Sequence, residues 1–200
     1  MKRVGVLLRT ETISGVLKHY VRDTLLKKLS NNDIEIICIP IINKLNALYN
    51  IMDSCNGIIL PGGDDVLDID IKIIDYLYKK NIPTLGICLG MQEMAIYKNG
   101  ALMDLKTPKN HVSENNMHKI LIKDGTLLYK IIKKNNIYVN SIHKSFVINT
   151  DLNISSISKD KIIESVEDLS KKFFLGVQWH PERMKEEEAD LLFNYFINSL

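Results

Sequence analysis

Nine residues, Thr84-Leu85-Gly86-Ile87-Cys88-Leu89-Gly90-Met91-Gln92, constrain this chain more than any other stretch. An apolar run behind Pro83 predicts a buried strand, and Met91, Met94 and Ala95 at helical spacing predict a helix directly after it. Between them stands Gly-Ile-Cys-Leu-Gly, the Gly-x-X-x-Gly spacing of a nucleophile elbow. The flanking glycines allow a turn too tight for Cβ atoms, which leaves the Cys88 side chain exposed at its tip. Cys88 then lies at the positive end of the following helix, where thiolate is favoured over thiol. Taken alone, Cys88 reads as a core cysteine, as most free cysteines are. Two other stretches overturn that reading.

Gly176-Val177-Gln178-Trp179-His180-Pro181-Glu182 predicts a strand ending in His-Pro-Glu. Side chains two apart in an extended chain point the same way, so Glu182 is expected to reach the ring of His180. Pro181 is expected to keep that segment extended. The product is a general base with its orienter attached, lacking only a nucleophile. In Leu60-Pro61-Gly62-Gly63-Asp64 a hydrophobic strand meets paired glycines, whose backbone N–H groups are placed to receive a developing oxyanion.

With these three stretches in chain order, the sequence resembles the class I glutamine amidotransferase superfamily, whose members use a Cys-His-Glu triad. Within it, the chain is most similar to the γ-glutamyl-GABA hydrolase-like peptidases. The resemblance runs from Val4 to the C-terminal helix. It implies that Cys88 attacks the γ-carbonyl of a glutamine or γ-glutamyl amide, that His180 moves the proton, and that Glu182 orients the imidazole. It further implies oxyanion donors at the backbone of Leu89 and of Gly62 or Gly63, and a glutamyl-binding role for Gln92. Asn140-Ser141-Ile142-His143 matches the family's Asn-Ser-x-His stretch, so Ser141 and His143 are expected in the glutamyl pocket. Neither a cofactor nor a metal is implied. The chain departs from the family in a short loop after Gly63, in Lys144-Ser145, and in Arg183 after His-Pro-Glu.

Along the chain, predicted strands at Val4–Leu8, Ile34–Ile39, Gly57–Leu60 and Thr84–Ile87 alternate with helical patterns. One of these patterns is Leu17, Val21, Leu25 and Leu29, placed after a polar loop from Arg9 to Ser14. The expected fold is α/β and flavodoxin-like, with a mostly parallel sheet and helices on both faces. Closely spaced strands after Gly100 predict an antiparallel extension in the C-terminal half, and a single domain is expected over residues 1–200.

A net charge of +2 and scattered paired lysines give no footing for nucleic acid, and those lysines read as solvated surface. No apolar run suits a membrane span, and three cysteines match no zinc or disulfide spacing, so a cytoplasmic setting is expected. His19, His111 and His118 show no partner pattern, and Trp179 reads as packing. The expected partner is a small γ-glutamyl molecule, with a homodimer left open. A second reading is a glutaminase subunit that delivers ammonia to a synthetase. The third is a flavodoxin-like module with a sensor cysteine, which has no use for His180 and Glu182.

Overall fold

Two-residue and 3.6-residue periodicities alternate through the first hundred residues, and in the computed structural model they become strands and helices. It describes residues 1–105 and 112–200, with no side chains described for 112–116. His111 therefore lies outside the described residues. β1 (Lys2–Leu7), β4 (Ile34–Ile39), β5 (Gly57–Leu60) and β6 (Thr84–Ile87) are the early strands of the main sheet. Between them run α1 (Asp23–Ser30), α2 (Leu45–Asp53) and α3 (Asp68–Lys79), and α4 (Leu89–Tyr97) follows β6. The later half supplies β8 (Val112–Ile122), α5 (Leu127–Ile132), β9 (Asn136–Ile142), β11 (Asn153–Ser158), β12 (Ile163–Glu167) and β13 (Phe174–Val177). The closing helix is α6 (Glu187–Asn198), with three acidic residues in its first turn complementing the helix dipole.

The main sheet runs β4-β1-β5-β6-β13-β12-β11-β8-β9. Pairings from β4 through β13 are parallel, and those from β13 onward are antiparallel. Neighbouring residues of β5 show why helices cover both faces. Ile59 packs with Leu25 and Leu29 of α1 and Phe193 and Phe196 of α6. Ile58 and Leu60 pack on the other side with Met52, Ile73, Ile74 and Met94. Each such fully buried side chain contributes about 1.5–3 kcal/mol over its exposed state, so both layers are firmly held. Among the described residues, no helix is long and apolar enough to cross a membrane.

Several local expectations are corrected. The segment expected as a polar loop is a hairpin of β2 (Arg9–Ile13) and β3 (Val16–Tyr20). Its turn is Ser14-Gly15, with φ of 51° and 78°, the paired positive angles whose twist suits a two-residue hairpin. Leu17 therefore sits on β3, exposed, and the helix begins only at Asp23. A short strand β7 (Ala101–Asp104), not foreseen, pairs with β10 (Ser145–Asn149) apart from the main sheet. β13 stops at Val177, and Pro181–Arg183 forms a 3₁₀ turn where an extended segment was expected. Proline's fixed φ and missing N–H suit the first position of a helical turn as well as an extended one. Nor are all the paired lysines free in solvent: the Lys28 side chain is 14% exposed and bridges to Asp190.

Candidate active site

Four strand ends converge at one rim of the parallel sheet, the carboxyl ends where open α/β sheets place their sites. Arg9 follows β1, Gly62 follows β5, Cys88 follows β6 and His180 comes just after β13. The chain order around β1 also reverses here, since β4 lies on one side of it and β5 on the other.

Cys88 has φ 53° and ψ −104°, a strained conformation for a residue with a side chain. The glycines around it explain how the turn closes. A Cβ at Gly86 would stand 2.5 Å from Met94 Sδ, and one at Gly90 would stand 2.2 Å from the Leu60 carbonyl oxygen. The Cys88 N–H donates to the Val177 carbonyl at 2.8 Å, which ties the elbow to β13, the strand leading to the base.

His180 Nδ1 lies 2.7 Å from Glu182 Oε1, and its ring shares the cleft with Cys88. The structure brings Cys88, His180 and Glu182 together, and the turn that brings Glu182 round is helical. Burial disfavours the charged ring, but the Cys88 sulfur and the Glu182 carboxylate outweigh it and push His180 up to about 10. The ring is therefore a cation at neutral pH, facing the sulfur.

Asn140 clamps the histidine backbone. Its side-chain amide donates to the His180 carbonyl at 2.8 Å, and its Oδ1 accepts from the His180 N–H at 2.8 Å. The sequence alone gives Asn140 no such role, although it opens the Asn-Ser-x-His stretch. Gln178 is a second residue that the sequence leaves unassigned: its Nε2 lies 3.6 Å from Cys88 Sγ, and its Oε1 accepts from Gln92 at 3.0 Å. The spacing 178, 180, 182 is the available signal, since residues two apart at a strand end face one way.

The cleft is lined by Gly62, Gly63, Cys88, Gln92, His143 and His180, and by Arg22, Lys144 and Arg183. Leu89 and Ser141 are not among its lining residues. The Leu89 side chain is buried behind the loop against Gly63, while its backbone N–H heads α4; Ser141 is buried in β9. Gln92 reaches the cleft, but its Nε2 also donates to the Ser145 carbonyl at 2.9 Å. The His143 Nδ1 donates to that same carbonyl at 3.0 Å.

Behind the Gly62-Gly63 loop lies an ionic cluster that no sequence motif announces. Arg9 is 4% exposed and donates to both Glu93 oxygens, at 2.6 and 2.9 Å. It also donates from Nε and Nη2 to the Pro61 carbonyl, at 3.0 and 2.6 Å. Asp70 Oδ1 stands 3.5 Å from the same guanidinium. Burial pushes the Glu93 carboxyl up and the nearby Asp70 adds to the rise, while the pull of Arg9 opposes it and favours the charged pair. The other two described histidines lie elsewhere: His19 meets the Ile41 carbonyl, and His118 pairs with buried Glu164 at 2.7 Å, a partner the sequence does not reveal. Trp179 is buried in the core. Among the described residues, no group of three His, Cys, Asp or Glu side chains is arranged to hold a metal.

Cys88 is expected to alkylate at least about tenfold faster than Cys38 or Cys55 near neutral pH, because it alone faces the His180 cation at a helix start. Cys55 is buried and its thiol is pushed up by that burial, whereas Cys38 is exposed on a strand. Limiting iodoacetamide followed by peptide mass spectrometry checks this. Preferential labelling of Cys38 would mean that the elbow does not activate its sulfur.

The Peptidase C26 family model matches residues 68–182. A glutamine amidotransferase-like protein of Rickettsia prowazekii is 28% identical, over 73% of this chain and 77% of its own length. A protein of Schizosaccharomyces pombe described as a glutamine amidotransferase is 31% identical, over 74% of this chain and 71% of its own. A glutamine-hydrolyzing GMP synthase of Francisella tularensis subsp. novicida is 32% identical over 72% of this chain, but the match spans only 27% of that synthase. Among solved structures, a GMP synthase subunit from Thermoplasma acidophilum superposes with a TM-score of 0.76 at 20% identity, covering 100% of this chain and 94% of that one. The glutaminase domain of Trypanosoma brucei CTPS with bound acivicin gives 0.74 at 19% identity, covering 100% and 93%. These two likenesses speak for the fold.

Proposed function

Since the chain belongs to the Peptidase C26 family of the class I glutamine amidotransferases, hydrolases of C–N amide bonds, we propose that it cleaves γ-glutamyl amides on a Cys88-His180-Glu182 triad. The observation that carries this is the meeting of Cys88 and His180 in one cleft, with the His180 ring bonded to Glu182.

In this reading Cys88 Sγ attacks the γ-carbonyl carbon and an S–C bond forms. The carbonyl electrons move onto oxygen, held by backbone N–H groups of Leu89 and the Gly62-Gly63 loop. As the C–N bond breaks, the His180 cation passes its proton to the departing amine. Water, deprotonated by the same ring, then attacks the γ-glutamyl thioester and releases glutamate, restoring the sulfur. Glu182 fixes the ring's orientation and stabilises its charge throughout. Gln92 and His143 line the glutamyl side of the cleft. Residues 1–200 act as one domain, in a cytoplasmic setting.

Arg22, Lys144 and Arg183 line the cleft with Asp64, and Arg183 also stands 3.7 Å from the Glu182 carboxylate, which leaves Arg22 and Lys144 to carry most of the positive charge. Lys144 is a position at which the chain departs from its family. These cations support a substrate whose amine side bears a carboxylate, such as a γ-glutamyl amino acid, over glutamine itself.

A second reading, glutaminase subunit of a synthetase, is supported by the glutamine-hydrolyzing GMP synthases among the relatives. One experiment separates the two. The purified chain is expected to release glutamate unaided from a panel running from glutamine to γ-glutamyl-GABA and γ-glutamyl peptides, with the carboxylate-bearing members preferred. Negligible release across the panel, restored by a co-purifying synthetase, would hand the case to the subunit.

A further inference from the structure

Two glutamines stand beside Cys88, and one backbone carbonyl sets the direction of both. Gln92 Nε2 donates to the Ser145 carbonyl at 2.9 Å. A backbone carbonyl only accepts, so the end of Gln92 that faces it is the nitrogen. The same nitrogen lies 3.0 Å from Gln178 Oε1. An amide nitrogen has no lone pair to offer, so the atom opposite it must be an acceptor. Gln178 thus turns its oxygen to Gln92, which leaves its Nε2 at the sulfur, 3.6 Å from Cys88 Sγ. Exchanging the ends of either side chain would set two donors or two acceptors against each other.

Neither amide is free to turn away. Gln178 is fully buried and Gln92 is 5% exposed, so water does not compete for these groups. The Gln178 backbone N–H donates to the Glu164 carbonyl at 2.8 Å, next to the bond from Cys88 N–H to the Val177 carbonyl. Its side chain therefore starts from a point tied to both β12 and the elbow. Gln92, one turn along α4, donates its own backbone N–H to the Cys88 carbonyl at 3.1 Å. The N–H that meets the sulfur is preset by its surroundings. A charged acceptor takes a much stronger hydrogen bond than a neutral one, so a preset donor favours thiolate over thiol.

We propose that Gln178 is a catalytic residue that donates an N–H to the Cys88 sulfur and favours its thiolate, with Gln92 as the positioning residue that aims it. The inference rests on Cys88 as the nucleophile of the hydrolase reading, and it gives Gln92 a task that needs no substrate.

The test is the pH profile of Cys88 alkylation by iodoacetamide in the substrate-free chain, mapped to that residue by mass spectrometry. Gln178→Met keeps the length of the side chain and removes the donor. The acidity of the Cys88 thiol is then expected to fall about tenfold, the low end of what a hydrogen bond to a charged group is worth, and the midpoint moves to higher pH. A less stabilised thiolate is also the better nucleophile, so the rate above the midpoint is expected to rise about threefold. A merely structural role would leave the midpoint in place, whatever it did to the melt, and that result overturns the proposal. Gln92→Met, which frees the Gln178 amide to turn, is expected to lower the acidity in the same direction by about threefold. A Gln92 that only held glutamyl groups would leave the profile unmoved. Should Gln178→Met fail to fold, Gln92→Met decides alone, and an unmoved midpoint there overturns the proposal.

The charges around the sulfur stay the same in both variants. His180 faces it with Glu182 on its ring, and Arg9 acts on it from β2, paired with Glu93 and Asp70. Asp64, Arg22, Lys144 and Arg183 share the cleft with it. Failure of the native chain on γ-glutamyl amides, with the midpoints shifted as expected, would count against the substrate reading alone.

Discussion

Glu182→Gln is expected to lower kcat by about 10⁴-fold with the fold retained, and His180→Ala to abolish turnover. Glutamine has nearly the volume of glutamate, so the packing around this 8% exposed residue is preserved. What changes is the proton. Glutamate accepts from His180 Nδ1 at 2.7 Å and leaves Nε2 to the sulfur. A glutamine amide can donate to Nδ1 instead, which stabilises the tautomer with its proton on the wrong nitrogen. The substitution also removes one of the two neighbours that hold the ring up to about 10. In the variant the imidazolium should therefore deprotonate at lower pH, observable by NMR of the ring. Turnover near the native level would mean that Cys88 and His180 work as a dyad and that Glu182 is only a neighbour. A thermal melt within a few degrees of the native chain makes the kinetic comparison valid.

Gly90→Ala is expected to cost about 3 kcal/mol of stability, or about 10 °C in Tm for a chain of this size. The added Cβ would lie 2.2 Å from the Leu60 carbonyl oxygen, 2.7 Å from Leu60 Cβ and 2.9 Å from the Leu60 carbonyl carbon. These atoms belong to β5, which is paired on both sides by β1 and β6 and cannot move aside. Gly62 makes an instructive contrast, because its added Cβ would meet the His180 ring, a side chain, at 2.7 Å. Crowding at Gly62 should disturb turnover before stability; crowding at Gly90 should do the reverse. A thermal or denaturant melt of Gly90→Ala within about 2 °C of the native chain would show that α4 can slide off β5 and that the elbow is looser than its contacts imply.

How much of this is legible in the sequence depends on how local each feature is. The elbow is legible because strand, glycines and helix sit within nine residues. The partnership of His180 and Glu182 is foreseen through an extended geometry that the chain does not adopt; Pro181 opens a 3₁₀ turn, and the pair meets all the same. The β2–β3 hairpin is hidden because Leu17 and Val21 fall by chance on a helical spacing with Leu25 and Leu29. Ser14-Gly15 is its only punctuation. Arg9 cannot be assigned from sequence, since its partners are 52 and 84 residues away and nothing local sets it apart from a surface arginine. His118 with Glu164, 46 residues apart, is the same case.

The position of β13 has a bearing on how the chain comes to life during synthesis. It is the last strand to be made, yet it stands in the middle of the main sheet, parallel to β6 on one side and antiparallel to β12 on the other. Until it is inserted, the first-made parallel strands and the antiparallel strands have no hydrogen-bonded seam between them. The closing of that seam is the same event that delivers His180, through the bond between Cys88 N–H and the Val177 carbonyl. A nascent chain therefore carries its sulfur for some ninety residues of synthesis without the imidazolium that would make it reactive, since domains grow from the N-terminus. One strand thus joins the two halves of the sheet and carries the histidine to the sulfur.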